Sequence, residues 1–349
     1  MIKEAMLYEK LDDQRVHCNL CAHRCTIKPD RRGICGVREN RDGVLYSLVY
    51  GTLIAEHIDP IEKKPFFHVY PASNSYSIAT VGCNFSCDFC QNHDISQMPR
   101  STLMITGNDS LPAEIASQAK KSGSKTIAYT YTEPTVYLEL AYDTAKIAHE
   151  HGLKNVFVTN GFMTAEAIEM IAPYLTAANV DLKSFRDEFY KKRCGARLNP
   201  VLESLIKMKE MGIWVEITTL LIPALNDSDE ELKDIAQFIA DLGKETPWHI
   251  SRFHPQFKML NVPVTPVSSL HRAVEIGKQA GLKYVYSGNV PGDEGENTHC
   301  FHCGNLLIER NGFKVVCINL KGNQCSKCGT KLDGVFNETQ VSETQCTET

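Results

Sequence analysis

Cys83-Asn84-Phe85-Ser86-Cys87-Asp88-Phe89-Cys90 places three thiols on one short segment with the spacing C-x3-C-x2-C. Three thiolates can hold three corners of a cubane iron–sulfur cluster and leave the fourth iron without a protein ligand. A cluster that only transfers electrons takes four cysteines. A structural zinc site likewise closes all four of its positions. Three ligands therefore point to a cluster whose open iron binds something. A zinc knuckle completed by His93 is the competing reading.

Two further groups bring the clustered cysteines to eleven of the 14 in the chain. Cys300-x2-Cys303 and Cys325-x2-Cys328, with 21 residues between them, read as two knuckles closing one tetrahedral Zn2+ site. Gly304 and Gly329 follow the second cysteine of each pair and suit tight turns. An auxiliary iron–sulfur cluster is the alternative there. Cys18-x2-Cys21-x3-Cys25-x9-Cys35 also suits a metal, with Arg24, Arg31, Arg32 and Arg38 nearby to balance thiolate charge. Zinc and iron–sulfur clusters both accept four cysteines, so the spacing leaves that metal open. Cys194, in Lys192-Arg193-Cys194-Gly195, is either a rim thiol with a redox role or a plain free cysteine, and Cys317 and Cys346 stand alone.

Composition narrows the classes. Across 349 residues, 42 acidic against 37 basic side chains leave a net charge of −5, which gives no reason to expect a nucleic-acid partner. No apolar run approaches the roughly 18 residues of a membrane span. Residues 1–14 are charged and lack the apolar stretch of a signal peptide, so the protein is read as cytoplasmic. Disulfides are rare in that compartment, and clustered cysteines there more often ligate metal.

A regular alternation positions these groups. Strands are expected at residues 75–81, 126–130, 155–159, 178–183, 214–222, 249–253 and 283–287. Helices are expected at 113–121, 135–149, 164–171, 200–211, 228–242 and 266–280. In the fifth helix Leu232, Ile235, Ile239 and Leu242 share a face, and Ser228 with Glu231 reads as a capping box. Such alternation means βαβ units and a parallel sheet, an α/β fold of the open or partial barrel kind, with a doubly wound sheet still possible. In either case ligands bind beyond the carboxyl ends of the strands. The expected division is an N-terminal cysteine-box segment (1–73), a core barrel (74–290), a C-terminal zinc-ribbon-like segment (291–336) and a disordered tail (337–349).

The three-cysteine spacing after the first strand of a βα series resembles the radical S-adenosylmethionine (SAM) superfamily, with its partial (β/α)6 barrel. The resemblance implies a [4Fe–4S] cluster on Cys83, Cys87 and Cys90, SAM chelated at the open iron, and Phe89 as the aromatic before the third cysteine. It implies SAM contacts from Thr132 and Glu133, from Asn160, and from Asp181 and Lys183, which alternation puts on one side of a strand. In Thr130-Tyr131-Thr132-Glu133-Pro134 the glycines usual for the superfamily are replaced, so Glu133 could instead simply cap the next helix. Arg252 and His254 are candidates for the SAM carboxylate or the substrate. Cys18–Cys35, Asp59-Pro60-Ile61-Glu62-Lys63-Lys64-Pro65, Gly82–Asn92 and Ser287-Gly288-Asn289-Val290-Pro291-Gly292 together look like the radical SAM enzyme of the AmmeMemoRadiSam system, often labelled pyruvate formate-lyase activating enzyme-like. That resemblance implies an electron donor such as flavodoxin or ferredoxin. It leaves two acceptors for the radical: a backbone glycine of a partner enzyme, or a small metabolite or side chain in a pathway shared with Memo-like and AMMECR-like proteins.

Overall fold

In the computed structural model residues 1–336 are described, and the expected disordered tail at 337–349 lies outside the described residues. An eight-stranded sheet forms the centre: β1 (Ala55–Pro60), β2 (Asn74–Ala79), β3 (Thr126–Tyr129), β4 (Lys154–Thr159), β5 (Leu175–Asp181), β6 (Trp214–Leu221), β7 (Trp248–Arg252) and β8 (Val285–Gly288). The strands lie side by side in chain order without reversal. The sheet is therefore singly wound and open, which removes the doubly wound alternative. From β2 to β8 every pairing is parallel. The connecting helices are α1 (Pro112–Lys121), α2 (Leu138–Glu150), α3 (Ala165–Ile171), α4 (Asn199–Glu210), α5 (Asp229–Leu242) and α6 (Val267–Gln279).

All seven expected strands and all six helices are present, with ends shifted by a few residues. Three differences have local causes. β1 was not expected; it pairs antiparallel with β2, Glu56 opposite Ile78. Its polar Glu56-His57 and terminal Pro60 hide it in the sequence, yet a proline is tolerated on a sheet edge. α2 starts late because Pro134–Tyr137 first forms a 3-10 turn capped by Glu133. At α5 only half of the capping box forms. Ser228 Oγ accepts from Glu231 N at 3.3 Å, but the Glu231 carboxylate leaves the helix to accept from Ser184 Oγ and, at 2.8 Å, from Phe185 N.

The core lies between the helices and the outer face of the sheet, where Leu232, Ile235 and Ile239 of α5 are fully buried together with Ile115, Ile168, Val201 and Leu205. The N-terminal segment adds two small antiparallel sheets, one from Lys3–Glu4, Val44–Ser47 and Arg38–Arg41, the other from Tyr8–Lys10, Val16–Cys18 and Thr26–Ile27. The C-terminal segment contributes a three-stranded sheet of Thr298–His299, Leu306–Asn311 and Lys314–Ile318. That small sheet packs Leu307 and Ile308 with Phe67, Tyr284 and Tyr286 beside the β8 edge. The eleven clustered cysteines and Cys194 carry no disulfide. No helix among the described residues is long and apolar enough to cross a membrane.

Candidate active site

The carboxyl ends of the parallel strands open into a cavity of about 470 Å3, lined by Cys83, Cys87 and Cys90 on one side. The chain enters this loop through Gly82, whose φ of +102° and close approach to Val37 (a Cβ would sit 2.5 Å from Val37 Cγ1) admit only glycine. The loop is then tied down from several directions. Arg100 donates to the carbonyls of Cys83 and Phe85. Ser86 N and Asp88 N donate to Cys194 O and Arg193 O at 2.8 and 2.9 Å. Gln97 Nε2 donates to Cys87 O at 3.2 Å. Polar groups also meet the sulfurs themselves: Phe85 N lies 3.3 Å and Asn160 Nδ2 3.7 Å from Cys83 Sγ, and Ser96 Oγ lies 3.3 Å from Cys90 Sγ.

No three of these sulfurs lie within 4.8 Å of one another, and His93 joins no such group; its ring stacks on Phe257 at 4.2 Å between centroids. The zinc-knuckle alternative thus lacks its geometry, whereas three thiols converging on one cavity suit a larger, multi-iron group. Burial pushes the Cys83 thiol well up; for Cys87 the neighbouring Cys194 thiol is the larger cause and burial the second. Thiolates are held in such a place by the positive charge of bound metal.

Glu133 is buried and its carboxylate is nearly saturated. Oε1 accepts from Thr135 N (3.1 Å), Thr135 Oγ1 (2.5 Å) and Thr159 Oγ1 (2.7 Å), while Oε2 accepts from Asn160 N (2.8 Å). It caps the following turn and lines the cavity as well, so both readings of this residue hold at once. Oε2 retains acceptor capacity. Asn160 also lines the cavity and donates to Asn84 Oδ1 at 2.7 Å, which ties the end of β4 to the cysteine loop. Thr132 donates to Thr80 O at 2.8 Å. Asp181 and Lys183 do share a side, forming a 3.0 Å ion pair at the cavity wall, with the Lys183 ammonium 5.7 Å from the Phe89 ring centroid. Burial alone would discharge Lys183, but Asp181 and the Cys87 and Cys194 sulfurs outweigh it and hold its pKa above the ordinary lysine value.

Arg252 departs from expectation. Its guanidinium turns to Thr265 O (Nε–O 2.8 Å) and does not line the cavity. His249, Ile250 and Ser251 line the cavity, and Arg252, the last residue of β7, is drawn away by its bond to Thr265 O. His254 is exposed and outside the lining too.

Several lining groups went unassigned in the sequence. Lys64 is buried against Asp59 (2.7 Å) and over the Tyr131 ring (4.1 Å), and burial lowers its pKa to about 8. Glu62 and Phe67 come from the same segment, and Glu296 and Phe313 come from beyond β8. The charged Glu62-Lys63-Lys64 run was visible, but nothing local says that it folds over the sheet. Arg310 joins the two ends: it donates to Glu296 O (3.0 Å), Thr298 Oγ1 (2.8 Å) and Phe67 O (3.0 Å), and its guanidinium lies 4.1 Å from the Phe67 ring centroid.

Two predictions follow from these contacts. Burial raises the Glu296 carboxyl from 4.5 to about 7. The native state then holds a proton that the unfolded chain gives up, so stability falls as pH rises from 4.5 to about 7. Glu296→Gln removes that slope, and its melting temperature should gain on the wild type between pH 5 and pH 7. Ser96 should tune the metal centre through its hydroxyl, 3.3 Å from Cys90 Sγ. Hydrogen bonds to ligand sulfur favour the reduced, more negative state of a cluster. Ser96→Ala should therefore keep its iron but show a midpoint about 40 mV more negative in a redox titration, the one-electron equivalent of a hydrogen bond of about 1 kcal/mol.

Comparison with known proteins decides the family. The profile of the Radical SAM superfamily matches residues 77–239, the stretch that carries the cysteine loop and β2 to β6. Residues 77–239 are a radical SAM superfamily domain. Superfamily membership implies the [4Fe–4S] cluster and SAM, and the three-thiol loop and the cavity fit both. The uncharacterized protein MJ0808 of Methanocaldococcus jannaschii is 48% identical over 338 residues, covering 96% of this chain and all of that one. A putative glycyl-radical enzyme activating enzyme of the same organism, MJ1632, is 24% identical over 61% of this chain and 79% of its own length. Among solved structures, a radical SAM methyltransferase from Sphaerobacter thermophilus shares the fold, with a TM-score of 0.50 and 18% identity over 68% of this chain and 71% of that one.

The C-terminal cysteines form a separate centre. The sulfurs of Cys300, Cys303, Cys325 and Cys328 all lie within 4.8 Å of one another, with Cys300–Cys328 at 3.6 Å and Cys303–Cys325 at 3.8 Å. A tetrahedron with zinc–sulfur bonds of about 2.3 Å has edges of about 3.8 Å, so this donor set fits a single tetrahedral ion.

Proposed function

We propose that this radical SAM protein cleaves SAM reductively and uses the product radical to take hydrogen from a small molecule held in the 470 Å3 cavity. Cys83, Cys87 and Cys90 hold the cluster, which when bound supplies the electron that splits SAM into methionine and a 5′-deoxyadenosyl radical. Glu133 Oε2 accepts from the ammonium of the methionyl group, and a charge-assisted bond of this kind fixes its orientation. Asn160 keeps the cysteine loop in register with β4, and the Asp181–Lys183 pair together with Phe89 forms the wall beside the cysteines. The C-terminal four-cysteine site takes Zn2+, which gives a small segment folding free energy that its core cannot supply.

One observation favours a small substrate. The strand ends are not the whole cavity: Glu62, Lys64 and Phe67 line it on one side, and Glu296 and Phe313 on another. These walls suit a compact ligand better than an inserted peptide loop. The second reading, radical transfer to a backbone glycine, is supported by the likeness to MJ1632. Placement in the AmmeMemoRadiSam system, with a Memo-like or AMMECR-like partner and a flavodoxin or ferredoxin as donor, belongs to the same proposal and rests on the motifs alone.

The test is anaerobic incubation of the reduced, iron-loaded protein with SAM, followed by chromatography. 5′-Deoxyadenosine and methionine should appear in equal amounts. Intact SAM in the presence of a full iron complement would sink the reading. A glycyl doublet in electron paramagnetic resonance on a co-incubated protein would favour the second acceptor.

A further inference from the structure

The sulfurs of the N-terminal box, like those of the three-cysteine loop and unlike those of the C-terminal site, do not gather into a compact set. Cys18, Cys21 and Cys35 are buried and Cys25 is partly so, and all four surround one small cavity closed by Leu20, Ile27, Ile34 and Val136. The hairpin that carries Cys18, Cys21 and Cys25 is in register, with Cys18 N donating to Cys25 O at 2.9 Å. Yet no three of their sulfurs come within 4.8 Å of one another, whereas all four C-terminal sulfurs do. A single zinc ion would need sulfurs about 3.8 Å apart. Several metal atoms, each carrying its own thiolates, spread the sulfurs further.

Arg38 supplies an independent observation. It is 1% exposed and lines this cavity, and its Nη1 donates to Cys18 Sγ at 3.2 Å. Its Nε–H is buried and finds no acceptor. A buried donor without an acceptor is destabilising, and an inorganic sulfide inside the cavity would be such an acceptor. The guanidinium would also offset the negative charge that four thiolates and sulfide bring.

We propose that Cys18, Cys21, Cys25 and Cys35 hold a second, fully thiolate-ligated iron–sulfur cluster, with Arg38 as the donor to its sulfur. The box abuts the first centre. Ala22 N donates to Phe162 O at 3.2 Å, and the His23 ring meets Asn84 O at 2.8 Å, one residue from Cys83. The second cluster thus lies beside the loop that serves SAM.

The test uses the full chain carrying Cys83→Ala, Cys87→Ala and Cys90→Ala, reconstituted anaerobically and desalted. It should retain iron with an equal amount of acid-labile sulfide, and zinc only for the C-terminal site. Adding Cys18→Ser and Cys25→Ser should remove that iron. Iron-free triple variant with a second zinc overturns the proposal, as does iron that survives the added serines. The unmutated protein gives a reading independent of how the variants fold. Its reduced form should show two cluster signals in electron paramagnetic resonance, of which SAM perturbs one; a single signal together with a second zinc overturns the proposal. If two clusters are present and neither responds to SAM, the SAM reading fails while this one stands.

Discussion

Cys87→Ala should lower SAM cleavage to the level measured without protein, the largest functional effect expected of any single change. Cys87 sits in the middle of the three-thiol loop, buried, with its carbonyl held by Gln97. Two thiolates cannot keep a cubane that already has one corner open, so the iron of this loop is lost. The C-terminal tetrahedron is built from other segments and should keep its ion. Iron, sulfide and zinc analysis alongside 5′-deoxyadenosine chromatography checks both halves. Loss of zinc together with the iron would show that the centres are not separate.

The largest stability effect is expected at Arg38→Leu. Arg38 and Glu139 form an ion pair that is 1% and 0% exposed, joining the N-terminal segment to α2. Glu139 also accepts from Met6 N at 2.7 Å, and Arg38 donates to Met6 O at 2.9 Å. Removing one member leaves an uncompensated charge in the interior, a loss of about 3–5 kcal/mol. The double variant Arg38→Leu/Glu139→Leu should recover most of it, because the stranded carboxylate is gone. Denaturant unfolding of the metal-loaded proteins reads both. A double variant as weak as the single one would place the cost in lost packing instead.

The sheet was legible because strands and helices differ in period, and β2 to β8 with α1 to α6 carry clean patterns. β1 was not, since an edge strand with polar Glu56 and His57 has no apolar signature. The cysteine loop was legible from its spacing and the shared side of Asp181 and Lys183 from strand alternation, whereas Glu133 and Asn160 came only through the family resemblance of their strand-end motifs. Arg252 shows the limit of reading strand ends: it closes β7 after the lining Ser251, but its bond to Thr265 O draws the guanidinium away. Lys64, Glu296 and Phe313 reach the cavity only through tertiary packing, which no local pattern encodes. For the cysteines the spacing suggested three metal sites, and only the fold shows that the four C-terminal sulfurs lie within 4.8 Å of one another.

The Arg310 clamp has a consequence for how the chemistry is protected. Phe313 and Glu296 line the chamber from beyond β8, and the Arg310 guanidinium ties the backbone of Glu296 to that of Phe67. A carbon radical in that chamber survives only while solvent and dioxygen are kept out. If the C-terminal four-cysteine site holds an ion and the cavity serves SAM, as proposed, removing that ion should act as a leak, raising the ratio of SAM consumed to substrate converted while Cys83, Cys87 and Cys90 stay untouched.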